Sequence, residues 1–270
     1  MIEVKDLRKS FDGVEVLKGI STTFATGKVN LVIGQSGSGK TVFLKCLLNV
    51  FEPSSGGILF DGRDIVKMSR DDKQALRAEI GTVFQGSALF DSMTVEENIS
   101  FPLDMFTNLT YREKKRKVLE VIGRVNLQNA NKKFPSEISG GMQKRVAIAR
   151  AIVNNPKYLF CDEPNSGLDP YTSKIIDDLL LEITKEYNTT TIINTHDMNS
   201  VMTIGEKILY LRLGIKEWEG NKDILATAKN KNLLDFVYSS ELFKQLREFM
   251  LENDQTSLTH NSKITEKKEK

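Results

Sequence analysis

The chain has 270 residues, enough for one large α/β domain with an inserted subdomain and too few for two full enzymes. Its 38 basic and 36 acidic residues nearly cancel, so no bulk charge drives it toward nucleic acid. No stretch approaches the roughly 18 continuous apolar residues of a spanning helix, and the N-terminus lacks a signal peptide's charged-then-apolar pattern, so the chain is expected in the cytosol.

Residues 2–24 are short alternating apolar segments with turns expected at Asp12-Gly13 and near Lys18-Gly19, the pattern of antiparallel strands. Val29 to Ile33 then reads as a strand, and Val42-Phe43-Leu44-Lys45 opens a helix. Between them Gly34-Gln35-Ser36-Gly37-Ser38-Gly39-Lys40-Thr41 fits the phosphate-loop pattern G-x-x-x-x-G-K-[ST]. Glycines in that pattern let backbone N–H groups close around phosphates at a helix N-terminus. Lys40 is placed to reach the β- and γ-phosphates, and Thr41 to hold Mg²⁺ through its hydroxyl. The strand before and the helix after set this loop apart from a chance Gly/Ser turn, and a nucleoside triphosphate is the expected ligand.

A strand at Ile58–Phe60, a turn at Asp61-Gly62 and a strand from Ile80 to Phe84 follow. From Gly86 to Asn155 the pattern is mainly helical, with amphipathic runs at 110–122 and 141–152. The basic run Arg112 to Lys117 reads as a solvated helix face, not a nucleic-acid footprint. Ser139-Gly140-Gly141 reads as a serine cap and paired glycines opening a helix, which is an anion site and equally an ordinary helix start. Tyr158 to Cys161 is a buried strand ending in Asp162 and Glu163, at the edge where a parallel sheet meets its ligand. Asp162 is expected to bind Mg²⁺, directly or through water, and Glu163 to orient and deprotonate an attacking water. The plain alternative is an acidic helix N-terminus.

A helix at 171–187 and strands at 190–194 and 207–213 complete an alternation that argues for a mostly parallel, covered sheet interrupted by the helical stretch. Beyond Asn221 a helical run reaches Met250, and residues 253–270 read as a disordered charged tail. Cys46 and Cys161 lack CxxC spacing and read as buried free thiols, with neither a disulfide nor a zinc site expected.

The order of these motifs resembles the nucleotide-binding subunit of an ATP-binding cassette (ABC) transporter, over about residues 2–213. The resemblance implies an α/β fold: a P-loop NTPase (RecA-like) core with an antiparallel β subdomain and an inserted α-helical subdomain. It assigns 1–220 to the ATPase domain, with the insertion at about 86–155, and 221–252 to a C-terminal helical extension. Ser139, Gly140 and Gly141 match the signature motif, which binds the γ-phosphate of ATP held by the opposite subunit's phosphate loop. Gln85 matches the glutamine that touches Mg²⁺ and reports occupancy to the membrane subunit. Ser166-Gly167-Leu168-Asp169 matches the D-loop, His196 the switch histidine, and Phe11 the aromatic that stacks on adenine. The implied machinery is Glu163, His196, Lys40 and Gln85 for catalysis, Gly34 to Thr41 with the signature residues, Phe11 and Asp169 for ATP, and Thr41, Gln85 and Asp162 for Mg²⁺.

Phe11 could equally be a core aromatic, Gln85 a strand-end polar residue, and Asp169-Pro170 a helix start. The family's common signature is Leu-Ser-Gly-Gly-Gln, whereas Ile138 and Met142 stand here at its two ends. Met142 has no amide to donate, but the Ser139 hydroxyl and the Gly141 N–H remain, so hydrolysis is expected to be retained.

Gln85 to Leu103 and Pro135 to Met142 resemble the Mla-type (MlaF-like) ATPases, which power lipid movement with permeases and MCE-domain lipid-binding partners. Ala88, Leu89, Phe90 and Met93 then have a use as an apolar patch receiving a coupling helix, or they pack internally. The implied partners are a second copy of the chain, head to tail, an integral-membrane permease and an MCE-domain protein, with no nucleic acid. The implied location is cytoplasmic, held by the permease at the cytoplasmic face of the inner membrane. Import of amino acids or another small solute is the alternative. The apolar residues at 242, 243, 246, 249 and 250 share one helix face, packing either on the chain's own core or on the second copy.

Overall fold

The structure, a computed structural model, describes residues 1–249 and 251. Strands β1 (Ile2–Phe11) and β2 (Val14–Phe24) pair antiparallel around the turn at Asp12-Gly13, both residues at positive φ. The second turn expected near Lys18-Gly19 is not there. The register passes from Leu7↔Ile20 to Arg8↔Lys18, which leaves Gly19, at φ 84°, as the extra residue of a β-bulge in a continuous strand. A single left-handed glycine can be absorbed by a ladder as readily as it can end one, and sequence alone does not separate the two cases.

Strand β3 (Lys28–Ile33) begins the second sheet, while β4 (Ser55–Phe60) and β5 (Arg63–Asp64) join the first in the order β2-β1-β4-β5. The second sheet adds β6 (Ile80–Val83), β7 (Tyr158–Asp162), β8 (Thr190–Asn194), β9 (Lys207–Arg212) and β10 (Ile215–Gly220). Its order is β10-β9-β3-β8-β7-β6, parallel throughout except for the antiparallel β9–β10 edge. Strands β3, β7 and β8 are covered on both faces, which is why they read as near-continuous apolar runs. Side chains alternate between two cores. Leu159 and Cys161 face one and Tyr158 and Phe160 the other, as Ile193 and Ile192 do on β8.

The helices are α1 (Lys40–Leu47), α2 (Arg70–Ala78), α3 (Val95–Phe106), α4 (Tyr111–Arg124), α5 (Gly140–Ile152), α6 (Pro170–Glu186), α7 (Met198–Ile204) and α8 (Lys231–Val237), and residues 241–249 are also helical. Helices α3 to α5 form the expected insertion. Thr94 with Glu97, and Thr110 with Glu113, close reciprocal capping boxes that start α3 and α4. Helices α2 and α7 and strand β10 are elements that the residue pattern did not announce. The fold thus has the expected α/β core, antiparallel β subdomain and helical insertion. Cys46 and Cys161 are buried free thiols, and burial pushes the Cys46 thiol up to about 11. The expected tail at 253–270 and Met250 lie outside the described residues.

Candidate functional site

Four loops leave the C-terminal ends of adjacent parallel strands: 34–41 after β3, His196 after β8, Asp162 and Glu163 at the end of β7, and Gln85 after β6. That edge is where open α/β sheets place ligands. Within the first loop Gly34, Gly37 and Gly39 have φ of 152°, 77° and 104°. A Cβ on Gly34 would lie 2.2 Å from the Leu211 carbonyl oxygen and 2.7 Å from Ser38 Oγ, so only glycine fits. At Gly37 the space is open, and the left-handed backbone alone favours glycine there.

Helix α1 starts at Gly39 with no side-chain cap and no acidic residue in its first turn. Its orphan N–H groups and positive dipole end therefore face the loop without an internal partner, the condition for binding phosphate. Ser38 Oγ is buried with no hydrogen-bond partner, another donor left for a ligand. Gln35, Ser36, Gly37 and Thr41 are exposed. Lys40 Nζ donates to the carbonyls of Gly34 (2.7 Å) and Gln35 (3.2 Å). Burial pulls the Lys40 ammonium below its ordinary value, against the fields of Glu163 and then Asp162. The loop lysine and the two carboxylates thus share one electrostatic environment.

Glu163 adopts a left-handed backbone, φ 49°, held by its N–H to the Asn194 carbonyl and by Ser166 N–H donating to its own carbonyl. His196 Nδ1 is 2.8 Å from Glu163 Oε2, with the histidine side chain 66% exposed and the glutamate 15%. Asn194 Nδ2 donates to Asp162 Oδ1 at 3.1 Å, and Gln85 Nε2 to Ser166 Oγ at 3.3 Å. The structure therefore places Lys40, Gln85, Asp162, Glu163 and His196 at one sheet edge. The Thr41 hydroxyl, Asp162 carboxylate and Gln85 amide are oxygen donors of the kind Mg²⁺ takes. Among the described residues no three His, Cys, Asp or Glu side chains cluster as a self-sufficient metal site.

Phe11 is half-buried at the end of β1, edge-on to Phe51 at 5.2 Å, with Lys9 Nζ 4.8 Å from its ring centroid. The signature residues form a second, separate group. Ser139 caps α5, its Oγ accepting from Met142 N–H. Asp169 caps α6, accepting from the N–H groups of Tyr171 and Thr172 and from the Thr172 hydroxyl. Ser139, Gly140 and Asp169 are exposed, and among the described residues no hydrogen bond ties Ser139–Gly141 or Asp169 to residues 34–41. The Met142 side chain packs against the core, so its substitution for a polar residue has a packing use.

Two buried cations on α5 escaped the sequence reading. Lys144 Nζ donates to the Gln85 carbonyl, and Arg150 donates to the carbonyls of Ala88 (2.7 Å) and Ser87 (2.8 Å). Ser87 and Ala88 both have left-handed backbones, so these bonds hold an irregular loop in place. Basic residues on the otherwise apolar, buried face of α5 were the available signal. Phe84, Ala88, Phe90, Pro102, Met105 and Arg150 line an apolar groove of about 470 Å³ between β6 and α3. The expected patch is divided: Ala88 and Phe90 belong to this groove, Leu89 packs on the core, and Met93 lines a separate cleft of about 540 Å³ between α3 and α4 that holds none of the site residues. In the helix at 241–249, Phe243 packs on the core while Leu242 and Phe249 stay exposed, at 71% and 62%.

Residues 17–166 match the family described as ABC transporter. The probable ribonucleotide transport ATP-binding protein mkl of Mycobacterium tuberculosis (strain ATCC 25618 / H37Rv) is 36% identical over 236 residues, 87% of this chain and 66% of that protein. The chain thus spans just under two thirds of that relative's length. The methionine import ATP-binding protein MetN 2 of Oceanobacillus iheyensis is 37% identical over 242 residues, 88% of this chain and 70% of that one. Among solved structures, cbiO1 from Clostridium perfringens, part of the ABC transporter complex cbiONQ, aligns with a TM-score of 0.79 at 32% identity, covering 92% of this chain and 98% of its own. A dimeric post-hydrolysis state of the ATP-binding cassette MJ0796 bound to ADP and Pi aligns at 0.76 and 30% identity, covering 82% and 99%.

Proposed function

The chain belongs to the ABC transporter family, and from that premise we propose that it is the ATP-hydrolysing subunit that energises lipid transport through a separate membrane permease. The observation that carries the ATPase reading is the convergence of Lys40, Gln85, Asp162, Glu163 and His196 at one sheet edge. In this reading the N–H groups of 34–41 and Lys40 hold the phosphates, Ser38 Oγ gains the partner it lacks, and Phe11 stacks on adenine. Mg²⁺, when bound at Thr41, Asp162 and Gln85, neutralises charge on the transferring phosphoryl group. Glu163 orients and deprotonates the water, and His196 keeps the carboxylate aimed.

Two copies meet head to tail, so that Ser139 to Gly141 and Asp169 of one complete the site built on 34–41 of the other. The exposure of that group and its lack of hydrogen bonds to its own loop support this arrangement, as does the dimeric state of the MJ0796 relative. Loss of the γ-phosphate contacts opens the dimer and resets the permease. The groove beneath Phe84, Phe90 and Met105 receives a coupling helix of that permease. No helix among the described residues is long and apolar enough to cross a membrane, and the permease is the proposed anchor at the cytoplasmic face.

The lipid assignment and the MCE-domain partner rest on the likeness of 85–103 and 135–142 to the Mla-type ATPases. The methionine-import relatives favour a second reading, an amino-acid importer. Purifying the intact complex from its host and identifying co-purified molecules by mass spectrometry separates the two. Enriched phospholipid with an MCE-domain subunit supports the first; an amino acid with a solute-binding protein overturns it.

A further inference from the structure

Asp177 lies on α6, two turns beyond the Asp169 cap, and is 4% exposed. Its Oδ1 accepts from Asn165 Nδ2 at 2.8 Å and its Oδ2 from Ser200 Oγ at 2.7 Å, while Asn165 Nδ2 also lies 3.1 Å from Ser200 Oγ. Asn165 and Ser200 are buried as well, at 9% and 2% exposure. The three residues come from three segments. Asn165 follows Glu163 by two positions in the loop after β7, and Ser200 follows His196 by four, in α7. One carboxylate on a long helix therefore holds both the loop that carries the water-activating glutamate and the helix that follows the switch histidine.

The charge is kept against the interest of stability. Burial pushes the Asp177 carboxyl up to about 6; the bonds from Ser200 and Asn165 pull it back, and Asp197 and Asp178 push it further. The nearby cation of α6, Lys174, is exposed and forms its ion pair with Asp178 at 2.7 Å rather than with Asp177. Lowering the charge would ease folding at neutral pH, because a group whose folded pKa is raised loses its stabilising effect as pH climbs through that value. An expensive buried carboxylate with two well-formed acceptor bonds points to a positional task.

We propose that Asp177 is a positioning residue for ATP hydrolysis: by gripping Asn165 and Ser200 together it sets the separation of Glu163 and His196 and makes their two loops move as one. The inference rests on the roles given above to Glu163 and His196, which Glu163→Gln and His196→Ala test without reference to Asp177. It adds a third point of control, beneath the loops that carry Glu163 and His196. A displacement near 1 Å in a catalytic group is enough to slow chemistry by about 10²-fold.

The test measures kcat, KM for MgATP and Tm of the full chain for wild type, Asp177→Asn, Ser200→Ala and the double variant. Asp177→Asn keeps the shape of the side chain but not the second acceptor or the charge. The expected result is a kcat loss of about tenfold or more, a KM within about twofold of wild type, and a Tm that does not account for the loss. Ser200→Ala should lower kcat less, and the double variant should be no slower than Asp177→Asn alone, since both substitutions cut the same link. Wild-type kcat in a folded Asp177→Asn chain, or losses that simply add in the double variant, would overturn the proposal. If Asp177→Asn does not fold, Ser200→Ala, Asn165→Ala and their double variant make the same cycle, and unchanged kcat in folded Ser200→Ala overturns it equally.

Discussion

His196 Nδ1 lies 2.8 Å from Glu163 Oε2, although the two residues follow different strands, β8 and β7. The contact aims a carboxylate whose own backbone is held in the left-handed region, a conformation that costs a non-glycine residue roughly 1–2 kcal/mol. Strain at this residue is consistent with a side chain whose direction matters more than its stability.

Glu163→Gln should therefore lower hydrolysis by about 10²- to 10⁴-fold while ATP still binds. Sedimentation of that variant with MgATP should show a persistent dimer. Hydrolysis near the wild-type rate would remove Glu163 from the role of base.

Gly141 sits against α6 within the same chain: a Cβ there would lie 2.8 Å from Thr172 Cγ2. Gly141→Ala should lower Tm, and adding Thr172→Ser, which removes that methyl group and keeps the hydroxyl bonded to Asp169, should restore it. If the Gly141 N–H meets phosphate as proposed, ATP hydrolysis should stay low in the double variant, because the new methyl group still crowds that N–H. Recovery of both properties would reduce Gly141 to a packing residue.

Arg150→Ala leaves the carbonyls of Ser87 and Ala88 without their donor, at roughly 1–3 kcal/mol for each buried group. The expected effect is a lower Tm and, at temperatures where the chain stays folded, weaker capture of the permease in pull-down, since Arg150 and Ala88 both line the groove. Unchanged permease binding would detach the groove from that task.

Burial alone would raise the Glu79 carboxyl, but hydrogen bonds from Arg63 and Lys157 outweigh it and hold it below the ordinary carboxylate value. A depressed carboxylate stabilises the fold above its unfolded pKa, and that contribution disappears as pH falls through the folded one. Glu79→Gln should lower Tm at pH 7 by about 2–4 °C, equivalent to about 1 kcal/mol in a chain of this size. The gap should narrow as pH falls below the ordinary carboxylate value and through the depressed one. A gap that stays constant across acid pH would trace the loss to shape rather than charge.

Deleting residues 240–270 removes the helix whose Leu242 and Phe249 are exposed. If that face meets the second copy, the ATP-dependent dimer weakens in sedimentation. An unaltered dimer constant returns the helix to its own chain, where Phe243 already packs.

What the sequence disclosed was local. The loop at 34–41, the acidic end of β7 and the Ser139 cap each carry their chemistry within a few consecutive residues, and all three stand where they were expected. Gly19 was misjudged because a bulge is defined by the partner strand, which no short window contains. Helix α2 was missed because its stripe is thin: Leu76 is its one buried side chain. Lys144, Arg150 and Asp177 were silent because their partners lie 12 to 63 residues away, and a buried charge is recognisable only once its neighbours are known.

The strand order has a kinetic corollary. Strands β3, β8 and β7, which lead into residues 34–41, His196 and the acidic pair Asp162 and Glu163, each have hydrogen-bonded neighbours on both sides, whereas β10 and β6 are edges. Their amides should therefore be among the slowest in the domain to exchange with deuterium, with the loops above them exchanging faster.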